Sequence, residues 1–402
     1  MSVIHKWPGQ PAAGLDEDLL IARAVDLLPQ LRTQRAATYA NRAIIPETMD
    51  VIRRSGLQRL FQPGRFGGAQ APIGACIDVL IPTAGGCPST AWCLAQYIMH
   101  NYMLARWPAA AQEAIWGQDP TALIAGIIIP KLGRAEKVDG GYRVTGRWPF
   151  VSGVIGSDWC LVATTVKRDT GREDERYFMI PTAEVDVEDT WHAIGLQGSG
   201  SHDISLHDHF VPDAMSLSID ALKTGPSPGA ALNTAAIYRL PVHMTFGILL
   251  ASPLIGMAEA MFETFLEDSR ERRSLMTNLE TATYGTEQML VGEVSAALQA
   301  AEALLRADAA EIAAFAASGR ELTPLERSNY RSNGSYAGKL VREAAQAVWD
   351  LAGARGAYDD NPIATYYQDI AVASRHTTMN LRVNATEHGR ARLRLPLTSN
   401  SL

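Results

Sequence analysis

Apolar residues near the start of the chain recur at helical spacing: Leu19, Leu20, Ala24, Leu27, Leu28 and Leu31 share one face. Pro46 followed by Glu47 predicts the start of a second helix and Gly56 its end. Phe61–Gln70 is glycine-rich and turn-like, and the apolar run Ile73–Thr83 leads into Ser89–Trp107. The period changes near residue 121. Thr121–Pro130 is a continuous apolar run of strand length, and Asp139-Gly140-Gly141 sits between two strand-like segments as a hairpin turn. Trp159–Val166, Tyr177–Ile180, Val185–Thr190 and His202–Val211 are further short β-rich runs, so 121–212 reads as a small β-barrel or sandwich. Residues 213–235, rich in Ser, Pro, Gly and Ala, read as a linker.

Helical periodicity then returns. Leu290, Val294, Ala297, Leu298, Ala301, Leu304, Leu305, Ile312 and Phe315 mark one long helix. Thr323-Pro324-Leu325-Glu326 is a capping box with Pro at the first helical position, opening a helix to Gly353. A last helix is expected over roughly Ile363–Gly389. Long helices with short connections argue for a bundle, and apolar faces of this extent argue for an oligomer.

Composition narrows the function classes. With 402 residues the chain is long enough for two or three domains around a large core. A net charge of −7, without a basic cluster, excludes a nucleic-acid footprint. No run of 18 or more apolar residues is found, so no membrane span is expected. The opening stretch MSVIHKWPGQPAAG has no apolar core of signal-peptide length, which makes a cytoplasmic protein the expectation. Cys76, Cys87, Cys93 and Cys160 fit no zinc spacing and read as reduced, buried thiols. His202, His207 and His209 lie beside Asp203 and Asp208, but His207 and His209 on one strand face supply no well-spaced third ligand, and no metal is expected.

The stretch Gly146–Cys160, GRWPFVSGVIGSDWC, concentrates the candidate chemistry. Alternation places Trp148 and Phe150 on one strand face, and Ser152-Gly153 then breaks the strand beside a close backbone approach. Four segments in this order carry a family resemblance. Ser89-Thr90-Ala91-Trp92 precedes His100-Asn101-Tyr102, and Gly146-Arg147-Trp148 precedes Ser152-Gly153 and Asp158-Trp159. Gly195-Leu196-Gln197-Gly198-Ser199-Gly200-Ser201 precedes Phe210-Val211-Pro212, and Asn233-Thr234-Ala235 precedes Tyr238-Arg239-Leu240-Pro241. From about residue 45 to 395 the chain resembles the acyl-CoA dehydrogenase superfamily. Within it the closer resemblance is to the oxygenase components of two-component flavin-dependent monooxygenases of the 4-hydroxyphenylacetate 3-hydroxylase and steroid-phenol hydroxylase type.

That resemblance implies a mainly α fold with a central β-domain. It would comprise an N-terminal helical domain (1–120), a β-barrel (121–230) and a C-terminal four-helix bundle (231–402). It implies reduced flavin (FADH2 or FMNH2) delivered by a separate NAD(P)H-dependent flavin reductase, O2, a C4a-hydroperoxyflavin, and oxygen insertion into a small aromatic substrate. A homotetramer or dimer is the expected assembly. Ser152 would hydrogen-bond flavin N5. Trp148 and Phe150 would form its apolar wall, one of them being a plain core aromatic instead, with Gly153, Ser199 and Ser201 as further cofactor contacts. His376, seven residues after Asp369, would meet the oxygenated flavin or substrate, and His100 would orient or deprotonate the substrate. Arg239 matches a position that contacts substrate in some relatives, and surface salt bridging is the plain alternative. Ile127-Ile128-Ile129-Pro130 departs from the hydroxyl-bearing pattern of phenol hydroxylases, so Ile128 would make the pocket more apolar and suit an indole or polycyclic ring. The competing reading is an FAD-dependent acyl-CoA dehydrogenase, whose base would have to be Glu259 or Glu263. A non-enzymatic binding scaffold is the third.

Overall fold

The computed structural model describes residues 15–167, 173–223, 227–358 and 360–398. The opening stretch from which the absence of a signal peptide is inferred lies outside the described residues. Helices α1 (Glu17–Ala40), α2 (Pro46–Ser55), α3 (Ala75–Gly86), α4 (Pro88–Leu104) and α5 (Ala109–Ile115) come first. Strands β1 (Ile124–Ile127), β2 (Gly133–Val138), β3 (Gly141–Val151), β4 (Trp159–Lys167) and β5 (Glu173–Pro181) follow. Next come β6 (Asp186–Glu188), β7 (His202–Pro212), β8 (Ser216–Ser218) and α6 (Asp220–Lys223). The segment expected as a linker thus carries a strand and a helical turn. The remaining helices are α7 (Phe246–Glu271), α8 (Gly285–Ser318), α9 (Pro324–Gly356), α10 (Pro362–Ala373) and α11 (Leu381–Arg392).

Local signals explain several boundaries. Pro46 occupies the first turn of α2, and Gly56 ends it in the left-handed conformation at φ 76°. The capping box of α9 is formed in both directions between Thr323 and Glu326. Gly140, at φ 71°, joins β2 to β3 with Val138 opposite Gly141. The last helix is the exception. The single helix expected over 363–389 is two helices, because Asn380 accepts a hydrogen bond from the Val383 N–H and starts α11 afresh. The turn between them holds His376.

The strands run in the order β6–β7–β3–β2–β4–β5–β8, with β1 paired to β4. β1 and β2 lie parallel to successive stretches of β4, Ile124–Ile127 opposite Trp159–Val162 and Arg134–Ala135 opposite Thr165–Val166. Every residue of α4 is buried, and the helix touches both β1 and α7. A helix apolar on all sides has no solvent face to set its rotation, so its few polar residues mark what it faces. The Val242–Arg270 region is long and apolar enough to cross a membrane. In the fold 89% of its most apolar window is buried, and α3, α4 and α9 pack on it as the core helix of the bundle.

α3 and α7 meet at a glycine. A Cβ added at Gly256 would lie 2.2 Å from the carbonyl oxygen of Ile81, so any side chain forces two helix backbones apart. Overpacking of this kind costs about 1–3 kcal/mol. Gly256→Ala is expected to lower the thermal unfolding midpoint by several degrees; an unchanged midpoint would contradict the packing described for α3 and α7.

Candidate active site

A cavity of about 300 Å³ lies where α4, β1, the end of β3, the loop before β7 and the α10–α11 turn converge. It is lined mainly by apolar groups, among them Met99, Ile127, Ile128, Phe246, Val372 and Ala373. Six residues singled out from the sequence border it: His100, Ile128, Phe150, Ser152, Ser201 and His376. Among the described residues, no aspartate or glutamate does.

The two aromatics of β3 part company. A register shift between Trp148 and Val151 interrupts the pairing with β7, and Phe150 takes φ 65°. The bulge breaks the alternation that would have put both rings on one face. Trp148 turns into the sheet interior, fully buried, and donates from Nε1 to the carbonyl oxygen of Ala163 at 2.9 Å. Its ring lies over Gly133 and Gly146, where an added Cβ would come within 2.3 and 2.7 Å of it. Trp148 is therefore a core residue and does not line the cavity. Phe150 swings out to the cavity rim, 64% exposed, with its ring edge-on to Trp191 at 6.4 Å. A bulky residue held at positive φ stores backbone strain, a feature concentrated at functional sites.

Ser152 sits in a hydroxyl chain. Trp92 Nε1 donates to its Oγ at 3.1 Å, Ser201 Oγ is 2.8 Å away, and Ser199 Oγ continues the chain at 2.7 Å. Ser201 reaches the cavity, whereas Ser199 lies behind it. Gly153 does not line the cavity. Its φ of 74° and the Tyr97 hydroxyl, 2.3 Å from where a Cβ would stand, explain why a glycine is needed. Its N–H donates to the carbonyl oxygen of Ser199 at 2.8 Å, tying the β3 turn to the loop before β7. Arg239 is exposed and does not line the cavity.

The two histidines present opposite faces. His100 Nδ1 lies 2.9 Å from the carbonyl oxygen of Ile124. A carbonyl only accepts, so Nδ1 carries the proton and Nε2 is a bare acceptor. That Nε2 is buried without a partner. His376 is the reverse: Nδ1 accepts the Thr378 N–H at 3.2 Å, which puts the proton on Nε2. Burial pulls both imidazoles down to about 4, so both are neutral near pH 7.

Residues not singled out as functional complete the site. Trp92, Gln96 and His100 follow one another at four-residue spacing along α4 and all line the cavity, a signal open to sequence reading. Trp191 and Leu196 line the opposite side, and Trp191 Nε1 donates to the Leu196 carbonyl oxygen at 2.9 Å. Asp369 lies behind Leu196. It accepts the Leu196 N–H at 2.6 Å and the Tyr39 hydroxyl at 2.5 Å. Burial pushes its carboxyl up to about 7, against the pull of those two donors. Glu259 and Glu263, the bases a dehydrogenase would require, do not border the cavity. Glu259 is pushed up to about 7 by burial and by Glu302 and Glu263.

An apolar cavity between sheet and bundle, with an uncovered aromatic rim and two neutral histidines, is the candidate site on an acyl-CoA dehydrogenase-like fold. Comparisons with known proteins agree. The acyl-CoA dehydrogenase C-terminal domain family matches residues 248–381. A pigment production hydroxylase of Rhodococcus sp. (strain ATCC 21145) is 28% identical over 94% of this chain and 97% of its own length. An FADH(2)-dependent resorcinol hydroxylase, oxygenase component, of Rhizobium sp. (strain MTP-10005) is 28% identical over 96% of this chain and 97% of its own. The crystal structure of 3-HSA hydroxylase from Rhodococcus sp. RHA1 superposes with a TM-score of 0.91 at 27% identity, covering 96% of this chain and all of that one. The chain is a homologue of the oxygenase components of two-component flavin-dependent monooxygenases.

The histidine assignment has a direct check. Nitrogen-15 NMR is expected to show His100 protonated on Nδ1 and His376 on Nε2, with neither ring titrating between pH 6 and 8. A titration near 6.5 in either ring would contradict the burial and tautomers described.

Proposed function

We propose that this chain is the oxygenase half of a reduced-flavin-dependent monooxygenase that places one O2-derived oxygen on an aromatic ring of indole, polycyclic or phenol type. The observation that carries the reading is the shared cavity of Ser152, His100 and His376, walled mainly by apolar side chains and, among the described residues, free of carboxylates. Reduced flavin, FADH2 or FMNH2, would supply when bound the two electrons that activate O2, one oxygen of which goes to the substrate while the other leaves as water.

This chain's residues fit such a group. The exposed Phe150 ring, edge-on to Trp191, offers an apolar aromatic rim, and Ser152 offers a hydroxyl held by Trp92 and Ser201. Ser152 would hydrogen-bond the N5 edge of the bound ring system. His100 Nε2 takes a proton from the substrate's hydroxyl or ring N–H, the step that makes the ring electron-rich. His376 holds its Nε2 proton toward the cavity as a donor. Met99, Ile127, Ile128 and Phe246 keep water from the reacting atoms. A dehydrogenase acting on a thioester needs a carboxylate base at this place, and the cavity lining does not include one.

As an oxygenase component the chain works with a separate NAD(P)H-dependent flavin reductase, in the cytoplasm. The exposed Leu275, Met276 and Leu279 beside the bundle support assembly into a homotetramer or dimer.

The test supplies reductase-generated reduced flavin, labelled O2 and a panel of indoles, naphthols and phenols. One labelled oxygen per product is expected. His100→Ala is expected to lower kcat by about 10²–10⁴-fold, and Ser152→Ala to divert more O2 to free hydrogen peroxide. Reoxidation with every flavin to peroxide alone, without labelled product, would overturn the reading.

A further inference from the structure

α4 lays three polar groups along the cavity. Trp92 Nε1 is engaged by Ser152 at one end, and His100 Nδ1 is engaged by Ile124 at the other. Between them stands Gln96, one helical turn from each. Gln96 is 6% exposed and borders the cavity, and its amide makes no hydrogen bond to another described residue. The cavity it borders is walled mainly by apolar side chains such as Ile127, Ile128, Val372 and Phe246, and none of its other polar groups, Ser152, Ser201, His376, Thr377 and Arg375, bonds the amide. The amide is reachable from the cavity, so a ligand that displaces water from it without offering a matching polar group loses affinity.

We infer that Gln96 is a specificity-determining residue that reads a second polar substituent on the aromatic substrate. The inference rests on the oxygenase reading above and deepens it. The substrate class it defines is a ring carrying two hydrogen-bonding groups. A hydroxyl or N–H donates to His100 Nε2, and a further hydroxyl or oxo group, set apart on the ring system, pairs with the Gln96 amide. Glutamine offers both an N–H donor and a carbonyl acceptor, so it accommodates either group. The apolar wall at Ile127 and Ile128 then holds the ring itself. A ring with one polar group leaves the Gln96 amide dry and unpaired, and sites that strand a buried polar group reject the deficient ligand strongly.

The experiment measures dissociation constants for resorcinol against phenol and for naphthalene-1,3-diol against 1-naphthol. They are read by quenching of tryptophan fluorescence in flavin-free protein and by competition in anaerobic protein holding reduced flavin. Wild type, Gln96→Leu and Gln96→Glu are compared, with thermal unfolding confirming that each variant is folded. Wild type is expected to favour the diols by about 100-fold or more. Gln96→Leu is expected to reduce that preference to within about 3-fold by weakening the diols alone, with reduced-flavin affinity unchanged. Gln96→Glu, which keeps an acceptor for a hydroxyl, is expected to retain most of it.

Equal binding of one- and two-hydroxyl rings by wild type would overturn the inference. So would a Gln96→Leu variant that keeps the preference, or one that loses reduced-flavin affinity while keeping it, which would place the amide against the cofactor. Diol preference in flavin-free protein that oxygenates nothing would support the Gln96 assignment and overturn the oxygenase reading alone.

Discussion

Asp369 stands on the bundle side of the cavity and accepts hydrogen bonds from two segments far away in sequence. The Leu196 N–H is 173 residues distant, and the Tyr39 hydroxyl is 330. Leu196 is held from its other side by Trp191, and Trp191 meets Phe150. One buried carboxyl thus links α1, the loop before β7 and α10, the helix that leads into the turn holding His376. That link ties the loop behind the Phe150 rim to the helix that leads into the His376 turn. Taking a carboxyl out of water is unfavourable, and its shift to about 7 records the opposition. Two short hydrogen bonds compensate, one from a backbone group that would otherwise be buried unpaired.

The site's chemistry follows from similar constraints on direction. Carbonyl and amide partners decide which nitrogen of each histidine is protonated, and burial keeps both rings neutral. The result is one acceptor and one donor facing the same apolar space at neutral pH.

Much of this organisation is legible in the sequence, because it is written in local periodicity. The helical, β and helical order, the Pro46 and Gly56 boundaries, the Gly140 hairpin and the Thr323 capping box are matters of neighbouring residues. Ser152, His100 and His376 were nameable because a family pattern surrounds them. What escaped depends on geometry that alternation does not encode. The bulge after Trp148 sends Phe150 to the rim and leaves Trp148 in the core, against the same-face expectation. The break before α11 turns a helical histidine into a turn histidine with its Nδ1 engaged. Asp369 was visible as a landmark for His376 but not as a tie, since its partners come together only in the folded chain. Gln96 was open to reading from its spacing to His100, once α4 is known to be buried all round.

The most direct test of this account is the share of reduced flavin and O2 converted to oxygenated product rather than hydrogen peroxide in Asp369→Ala and Asp369→Asn. Asp369→Ala leaves the Leu196 N–H unpaired, and the account predicts that peroxide becomes the main product while the protein remains folded. Asp369→Asn, which keeps an acceptor for Leu196, should stay close to wild type. Wild-type coupling in Asp369→Ala would contradict the claim that this carboxyl holds the two walls of the cavity together.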